Sequence, residues 1–382
     1  MAADEEKSGR HFICEHLRNL RLNLFLPSVF PVASVSNPSP TPQRTFFSMS
    51  HIPAANRYEQ MVYRRCGRSG LMLPAVSLGA WETFGGYKDE QVAGEVLLRA
   101  FDLGITHFDF ANNYGKPPGN AELVCGKILK QLPRDEMIIS SKAGYRMWPG
   151  PYGEWGSRKY IIASCDQSLK RMDVDYFDIF YSHRPDPNTP LEETLGALDT
   201  LVKQGKALYA GVSSYLGAQY SDSVRTVQQH DWAPITIHQP YYNMLARTIE
   251  WDLVSQAERF GTGIIAFAPL ASGLLTDKFL NGEVSPTSRA ATIWPQLWVA
   301  GHTVEQRRHI LSGLNEIAKA RGQSLAQMAI AWTLRLPAVV SALIGASSVK
   351  QLEENIAALK NLNFSPEELK KIDALILESA GI

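Results

Sequence analysis

The chain has 382 residues, 45% of them hydrophobic, which is enough to bury a large core. Its 38 Lys and Arg balance 38 Asp and Glu, so no bulk charge draws it to nucleic acid or to an anionic membrane surface. A phosphate-bearing ligand must therefore be held by a few local cations.

Residues 1–48 differ from the rest. They carry a Pro/Ser-rich tract, SVSNPSPTPQ, and no sustained periodicity, which predicts a floppy extension. RHFICEHLRNLRLNLFL is basic and partly amphipathic, so an organelle-targeting segment is the alternative. Asp4, Glu5 and Glu6 oppose it, because organelle presequences are poor in acids. Met49 as the working start is a third option. The apolar stretch LNLFLPSVFPVASV is broken by two prolines and falls short of the roughly 18 residues of a membrane span. We draw the boundary as a disordered or targeting extension over 1–57 and one domain over 58–382.

From Met61 the pattern is regular. MVYRRCG and LMLPAVSLG form a short strand pair around the turn Arg68-Ser69-Gly70. Helical periodicity follows in DEQVAGEVLLRAFDLG, then a strand in THFDFA and a helix in NAELVCGKILKQL. EMIISSKA, YFDIFYSH, KALYAGVSS, PITIHQP, TGIIAFAP and VSALIGA continue as strands, each followed by a helical segment. That makes about eight strand–helix units, which fits a (β/α)8 TIM-type barrel better than a doubly wound sheet. The strands are largely apolar runs, as in a parallel sheet covered on both faces. The expected fold is α/β, a (β/α)8 barrel with an N-terminal β-hairpin and a flexible extension. Cys14, Cys66, Cys125 and Cys165 lie far apart with no C-x-x-C pair, and read as reduced thiols of an intracellular, cytoplasmic protein.

A barrel places its chemistry in the loops at the carboxyl ends of its strands. Asp109 and Tyr114 in THFDFANNYG, Lys142 in MIISSKAGY and His183 in FDIFYSHRP fall at or near the ends of the second, third and fourth strands. A phenol with a pKa near 10 is a poor proton donor at neutral pH. A nearby ammonium would lower that pKa, and a buried carboxylate would hold the ammonium charged. Tyr114 is then a general acid, Lys142 its tuner, Asp109 the anchor of Lys142, and His183 a donor that orients a carbonyl oxygen. Singly, each has a structural reading: a turn cap, a rim aromatic, a surface charge and a core histidine. Their shared position at successive strand ends favours the catalytic one.

No side chain can supply a hydride, so carbonyl reduction at this site implies a nicotinamide cofactor. The chain has no G-x-G-x-x-G or Walker loop, and GNAELVCGKI fails at its spacing. Late segments offer Lys278 and Arg289 as cations, while Ser347, Gln351, Glu354 and Asn355 open a helix whose N-terminus favours anions. LEENIAALKNL also reads simply as an amphipathic closing helix. A metal-dependent hydrolase is set aside, because His183 and Asp109 have no further His at ligand spacing.

The set F-D-x-A-x-x-Y-G, S-K, a strand-end His, G-x-S-S, I-x-Q-P, A-P-L-A-x-G and I-G-A-S…Q-L-E-E-N resembles the aldo-keto reductases over about residues 58–380. DFANNYGKPPGNAE, SSKAGYRMWPGPYGEWGSRKY and FYSHRPDPNTPLEETLGAL are most similar to the L-glyceraldehyde 3-phosphate reductase branch, related to the potassium-channel β-subunit type. The resemblance implies a (β/α)8 barrel, NADPH as cofactor and an ordered reduction of aldehydes to alcohols. It matches Asp109, Tyr114, Lys142 and His183 to the family's tetrad. Ser213, Ser214 and Gln239 match carboxamide-binding positions, and Phe267 the aromatic that stacks on the nicotinamide. Pro269, Leu270, Ala271 and Ser272 match the pyrophosphate stretch. Lys278, Arg289, Gly345, Ser347, Gln351, Glu354 and Asn355 match the adenosine and phosphate end. Gly79 and Trp81 match the first-strand loop.

Three departures stand out. Ser348 occupies a position where close relatives carry a basic residue, the loop 243–251 looks shorter than in the closest branch, and SRAATIWPQLWVAGHTVEQ is rich in Trp. The expected function is NADPH-dependent reduction of small aldehydes such as glyceraldehyde 3-phosphate or methylglyoxal. Trp81, Tyr145 and Trp148, with Tyr152, are the expected pocket walls. Arg146, Arg158 and Arg184 are candidates for a substrate phosphate. The alternative is an NADPH-binding, redox-sensing regulatory subunit of a membrane channel. Relatives in this branch form rings, so the resemblance also makes a homo-oligomer an expected state.

Overall fold

The structure is a computed structural model that describes residues 51–286, 288–292 and 303–377, without the side chains of residues 289, 290 and 377. The N-terminal extension up to residue 50, and residues 293–302 of the Trp-rich stretch, lie outside the described residues.

Strand β1 (Tyr63–Arg65) pairs antiparallel with β2 (Met72–Pro74), Tyr63 opposite Pro74. The stretch LMLPAVSLG, expected as one strand, is two. Ala75 is the crossover: its N–H donates to Val62 O of the hairpin at 2.7 Å and its carbonyl accepts from Ala342 of the barrel at 2.9 Å, so β3 (Val76–Gly79) starts afresh as the first barrel strand. Strict alternation follows. Helix α1 (Glu90–Asp102) leads to β4 (His107–Asp109), and α2 (Asn120–Leu129) to β5 (Ile138–Ala143). Next come α3 (Arg158–Met172), β6 (Phe177–Ser182), α4 (Leu191–Lys203) and β7 (Ala207–Ser213). Then α5 (Gly217–Gln229), β8 (Ile235–Gln239) and α6 (Leu253–Phe260) complete six strand–helix units, and β9 (Gly263–Phe267) is the seventh barrel strand. The long helical stretch after β9 is interrupted, with α7 (Arg289–Thr292), α8 (Val304–Ala320) and α9 (Leu325–Thr333) among the described residues. β10 (Val339–Ile344), α10 (Val349–Ile356) and α11 (Pro366–Leu377) close the chain. Among the described residues, β3 to β10 are parallel and shut into a barrel, β10 pairing with both β9 and β3.

Local chemistry sets these boundaries. Asp89 and Ser157 cap α1 and α3 by accepting from the backbone of Gln91 and Tyr160. Thr303 with Gln306, and Ser324 with Gln327, form capping boxes on α8 and α9. Gly322, at φ +69°, separates those two helices. Helix α11, not anticipated above, carries the same signal: Glu368 N–H donates to Ser365 Oγ at 3.1 Å and Ser365 N–H to Glu368 Oε2 at 2.7 Å.

The barrel interior is divided. Period-two alternation turns Ser77, His107, Asp109, Ser140 and Lys142 inward on β3, β4 and β5. All five are buried and joined by hydrogen bonds. The opposite side is apolar, with Ile179, Tyr181, Ile237 and Ile265 clustered against Leu71, Leu73 and Cys66 of the hairpin. Gly211 on β7 makes room for this packing, since a Cβ there would stand 2.5 Å from the Tyr181 ring. The hairpin stoppers the end of the barrel where the strands begin. Cys66 Sγ lies 3.3 Å from the Thr236 carbonyl, and Arg68 N–H donates to Gly261 O at 2.9 Å. Cys66, Cys125 and Cys165 are free and buried, and no helix among the described residues is long and apolar enough to cross a membrane.

Gly67 and Gly205 separate two costs of a left-handed glycine. Gly205 has φ +69° and open space, so Gly205→Ala should cost only the strain, about 1 kcal/mol. Gly67 has φ +55°, and a Cβ would stand 2.0 Å from Gly261 O. Gly67→Ala should therefore cost roughly 3 kcal/mol or more in urea unfolding. Equal losses would show that the hairpin does not seat against Gly261.

Candidate active site

Asp109 ends β4 and lies opposite Ser140, while Lys142 lies opposite Tyr181 of β6. This register brings the carboxylate and the ammonium together: Lys142 Nζ donates to Asp109 Oδ2 at 2.5 Å and to Phe110 O at 2.7 Å. Neither side chain is more than 1% exposed. The other carboxylate oxygen, Oδ1, accepts from Ser140 Oγ at 2.6 Å and Gln239 Nε2 at 3.2 Å. Burial pulls the Lys142 ammonium below its ordinary pKa, while Asp109 pushes it back up.

The loop after β4 presents Tyr114. Asn112 ties it down, its N–H donating to Lys142 O at 2.9 Å and its Nδ2 to the Tyr160 hydroxyl at 2.9 Å. The Tyr114 ring centroid lies 5.3 Å from Lys142 Nζ and 5.9 Å from the His183 ring, edge-on. Tyr145 approaches His183 edge-on from another direction, at 4.6 Å. His183, the residue after β6, is buried with Nδ1 lacking a hydrogen-bond partner. Burial, then Lys142 and Arg184, hold its pKa well below 6.5, so it is a neutral imidazole.

The direction at Tyr114 reverses the sequence expectation. Burial raises the phenol well above its ordinary pKa of 10, and Asp109 and Tyr145 add to the rise. Lys142 does not act alone on the ring, because its charge is matched by Asp109. The phenol is thus fully protonated at neutral pH.

Asp109, Tyr114, Tyr145 and His183 share one cleft of about 1100 Å³, which the buried Lys142 does not line. It runs from Asp109, Tyr114, His183, Trp81 and Tyr145 past Ser213, Ser214, Gln239 and Phe267. It then passes Pro269, Leu270, Ser272 and Lys278 to Gly345, Ser347, Gln351, Glu354 and Asn355. Ala271 is buried beside that wall and does not line it, and the side chain of Arg289 lies outside the described residues. Trp148 does not line the cleft either; its ring packs on Tyr160 at 5.2 Å. Tyr152 is exposed, with Lys159 over its ring. Of the three arginines considered for a phosphate, Arg184 is engaged. It bonds Gly144 O and Glu154 and lies 3.6 Å from the Trp155 ring centroid and 4.2 Å from that of Tyr145. Arg158 donates to Thr200, and Arg146 is exposed next to Tyr145.

The far half of the cleft is strained and polar. Ser214, Ala268 and Ser272 line it with φ of +60°, +55° and +56°, conformations that cost about 1–3 kcal/mol each and cluster at functional sites. Ser272 Oγ and Asn355 Nδ2 are buried there without partners. Sequence reasoning missed Asn113, Gln327 and Lys350, which also line the cleft. Lys350 had a readable signal: a cation two residues after Ser348, in the first turn of α10.

A family model described as the aldo/keto reductase family matches residues 75–377. The chain belongs to the aldo-keto reductase family. It is accordingly an oxidoreductase. The L-glyceraldehyde 3-phosphate reductase of Escherichia coli O157:H7 is 52% identical over 333 residues, covering 84% of this chain and 94% of that protein. A probable voltage-gated potassium channel subunit beta of Arabidopsis thaliana is 36% identical over 322 residues, covering 83% and 97%. Among solved structures, a thermostable aldo-keto reductase, Tm1743, in complex with the inhibitor epalrestat matches with a TM-score of 0.65 and 32% identity. It covers 82% of this chain and 100% of its own.

The buried imidazoles make stability pH-dependent. Burial lowers both His107 and His238 to a pKa of about 4. The unfolded chain takes up these protons near pH 6.5 and the folded chain only near 4, so stability falls as pH drops through that window. The loss is complete below about pH 4 and on the order of 3 kcal/mol per histidine. Urea unfolding between pH 6.5 and 5, where carboxylates barely titrate, should show the decline, and His238→Gln should make it shallower. A flat profile would contradict the neutral burial.

Proposed function

We propose that this aldo-keto reductase reduces small aldehydes to alcohols with NADPH, Tyr114 donating the proton. The observation that carries the reading is the single cleft joining Asp109, Tyr114 and His183, with Lys142 buried against Asp109, to a long polar wall. The residues fit the cofactor: Ser272 Oγ and Asn355 Nδ2 are orphaned donors in the cleft, and Ser213, Ser214 and Gln239 form a polar ledge beside Asp109. NADPH bound along this wall would supply the hydride to the carbonyl carbon, with Phe267 at the nicotinamide and Lys278, Ser347 and Gln351 toward the phosphates.

The chain's own part is proton transfer and orientation. His183, neutral, can offer an N–H to the carbonyl oxygen without competing for its proton. Tyr114 keeps its proton until negative charge builds on that oxygen. An alkoxide is a stronger base than a phenolate, so transfer then runs downhill despite the raised phenol pKa. The phenolate left behind lies near the Lys142 ammonium, which Asp109 holds in place. Trp81 and Tyr145 wall a pocket for a small aldehyde. The relative named L-glyceraldehyde 3-phosphate reductase supports a substrate such as glyceraldehyde 3-phosphate or methylglyoxal.

The similarity to potassium-channel β subunits favours a second reading, a regulatory subunit that holds NADPH. One experiment separates them: loss of NADPH absorbance with the purified full chain and these aldehydes, NADH as control, beside NADPH binding by fluorescence. The reductase reading expects turnover that Tyr114→Phe lowers by about 100- to 10,000-fold with binding retained. Unchanged turnover in Tyr114→Phe would sink the donor assignment. Tight binding with no turnover in the wild type would favour the subunit.

A further inference from the structure

We infer that His107 is a positioning residue that fixes the Asp109–Lys142 pair through a one-way hydrogen-bond chain crossing four barrel strands; the inference rests on the proton-donor reading above. The chain runs from Ser341 on β10 to Ser77 on β3 (2.7 Å), His107 on β4 (2.9 Å), Ser140 on β5 (2.9 Å) and Asp109 (2.6 Å). All five side chains are buried.

Counting hydrogens sets its direction. Asp109 is ionised against Lys142, so both its oxygens only accept, and the single hydroxyl hydrogen of Ser140 must go to Oδ1. Ser140 Oγ can then only accept from its other neighbour, so His107 carries its hydrogen on Nε2. His107 Nδ1 is left as an acceptor, which obliges Ser77 to donate to it and Ser341 to donate to Ser77. With the imidazole kept neutral by burial, each hydrogen is used once and no other arrangement satisfies every link.

The consequence is at the active site. Ser140 and Gln239 together hold Oδ1 and orient the carboxylate plane, which leaves Oδ2 for Lys142. Without His107, Ser140 could rotate away, the carboxylate could turn, and Lys142 would lose its fixed place beside Tyr114. The charged groups facing His107 are Asp109 and Lys142, and burial keeps the imidazole neutral between them.

The test compares His107→Met, which breaks the chain, with His107→Gln, whose amide can still donate to Ser140 and accept from Ser77. Ser77→Ala and Tyr114→Phe run beside them. In His107→Met, kcat should fall tenfold or more and its alkaline limb should move, with a smaller change in KM. His107→Gln should recover both. Nitrogen chemical shifts of His107 in the wild type, which do not depend on catalysis, should report the Nε2–H form, and Ser77→Ala should loosen that preference. The inference is overturned by an Nδ1–H tautomer, by His107→Gln no better than His107→Met, or by a loss confined to Tm with the pH profile unmoved. If His107→Met fails to fold, His107→Gln, Ser77→Ala and the tautomer still decide. Full turnover in Tyr114→Phe would overturn the proton-donor reading instead, while the tautomer would stand or fall separately.

Discussion

An ammonium and a carboxylate sealed inside a barrel form the constraint on which the rest of this structure depends. Removing the two charges of Lys142 and Asp109 from water costs several kcal/mol per ion. Their attraction offsets that with the help of further hydrogen bonds, to Phe110 O on one side and from Ser140 and Gln239 on the other. An apolar pair of similar volume would be no less stable. Stability alone therefore does not account for the pair, whereas the proposed proton donor, which would leave a phenolate beside a fixed cation, does.

The division of the barrel interior follows from that demand. Ser77, His107, Ser140 and Gln239 surround the pair with partners, and on the far side Ile179, Ile237 and Ile265 pack with the Tyr181 ring as an apolar cluster. The same register that sets Asp109 opposite Ser140 and Lys142 opposite Tyr181 delivers His183 one residue past the end of β6. Tyr114 alone comes from a loop, and Asn112 anchors that loop to the Lys142 backbone and to Tyr160. The loop is thus tied down where proton transfer would occur, and farther along, where a long ligand fits, lie the strained Ala268 and Ser272 and the unpartnered Ser272 Oγ and Asn355 Nδ2.

Much of this was legible in the sequence because the alternation of strands and helices carries it. About eight largely apolar strand runs between helical segments were enough for the barrel, and strand ends placed Asp109, Lys142 and His183 together. The splitting of LMLPAVSLG into hairpin and barrel strand was not readable, because it depends on where the ladder partners of Ala75 lie. Helix α11 was missed although its Ser365–Glu368 capping box is readable. Trp148 was misplaced because residue type alone cannot tell a pocket wall from a ring packed on Tyr160. The sign at Tyr114 also failed: neighbour identity suggested a lowered pKa, but burial and a charge already matched by Asp109 outweigh it. The direction of the Ser341–Asp109 chain was beyond reach, since it rests on distances between residues up to 264 positions apart.

The most direct measurement is a double-mutant cycle on kcat with Lys142→Met, Asp109→Asn and the combined variant, using NADPH and glyceraldehyde 3-phosphate. If the ion pair acts as one unit that stabilises the Tyr114 phenolate, either single change should cost nearly as much as both together. Losses that simply add would show the two residues acting independently, and would contradict the central role given to the pair.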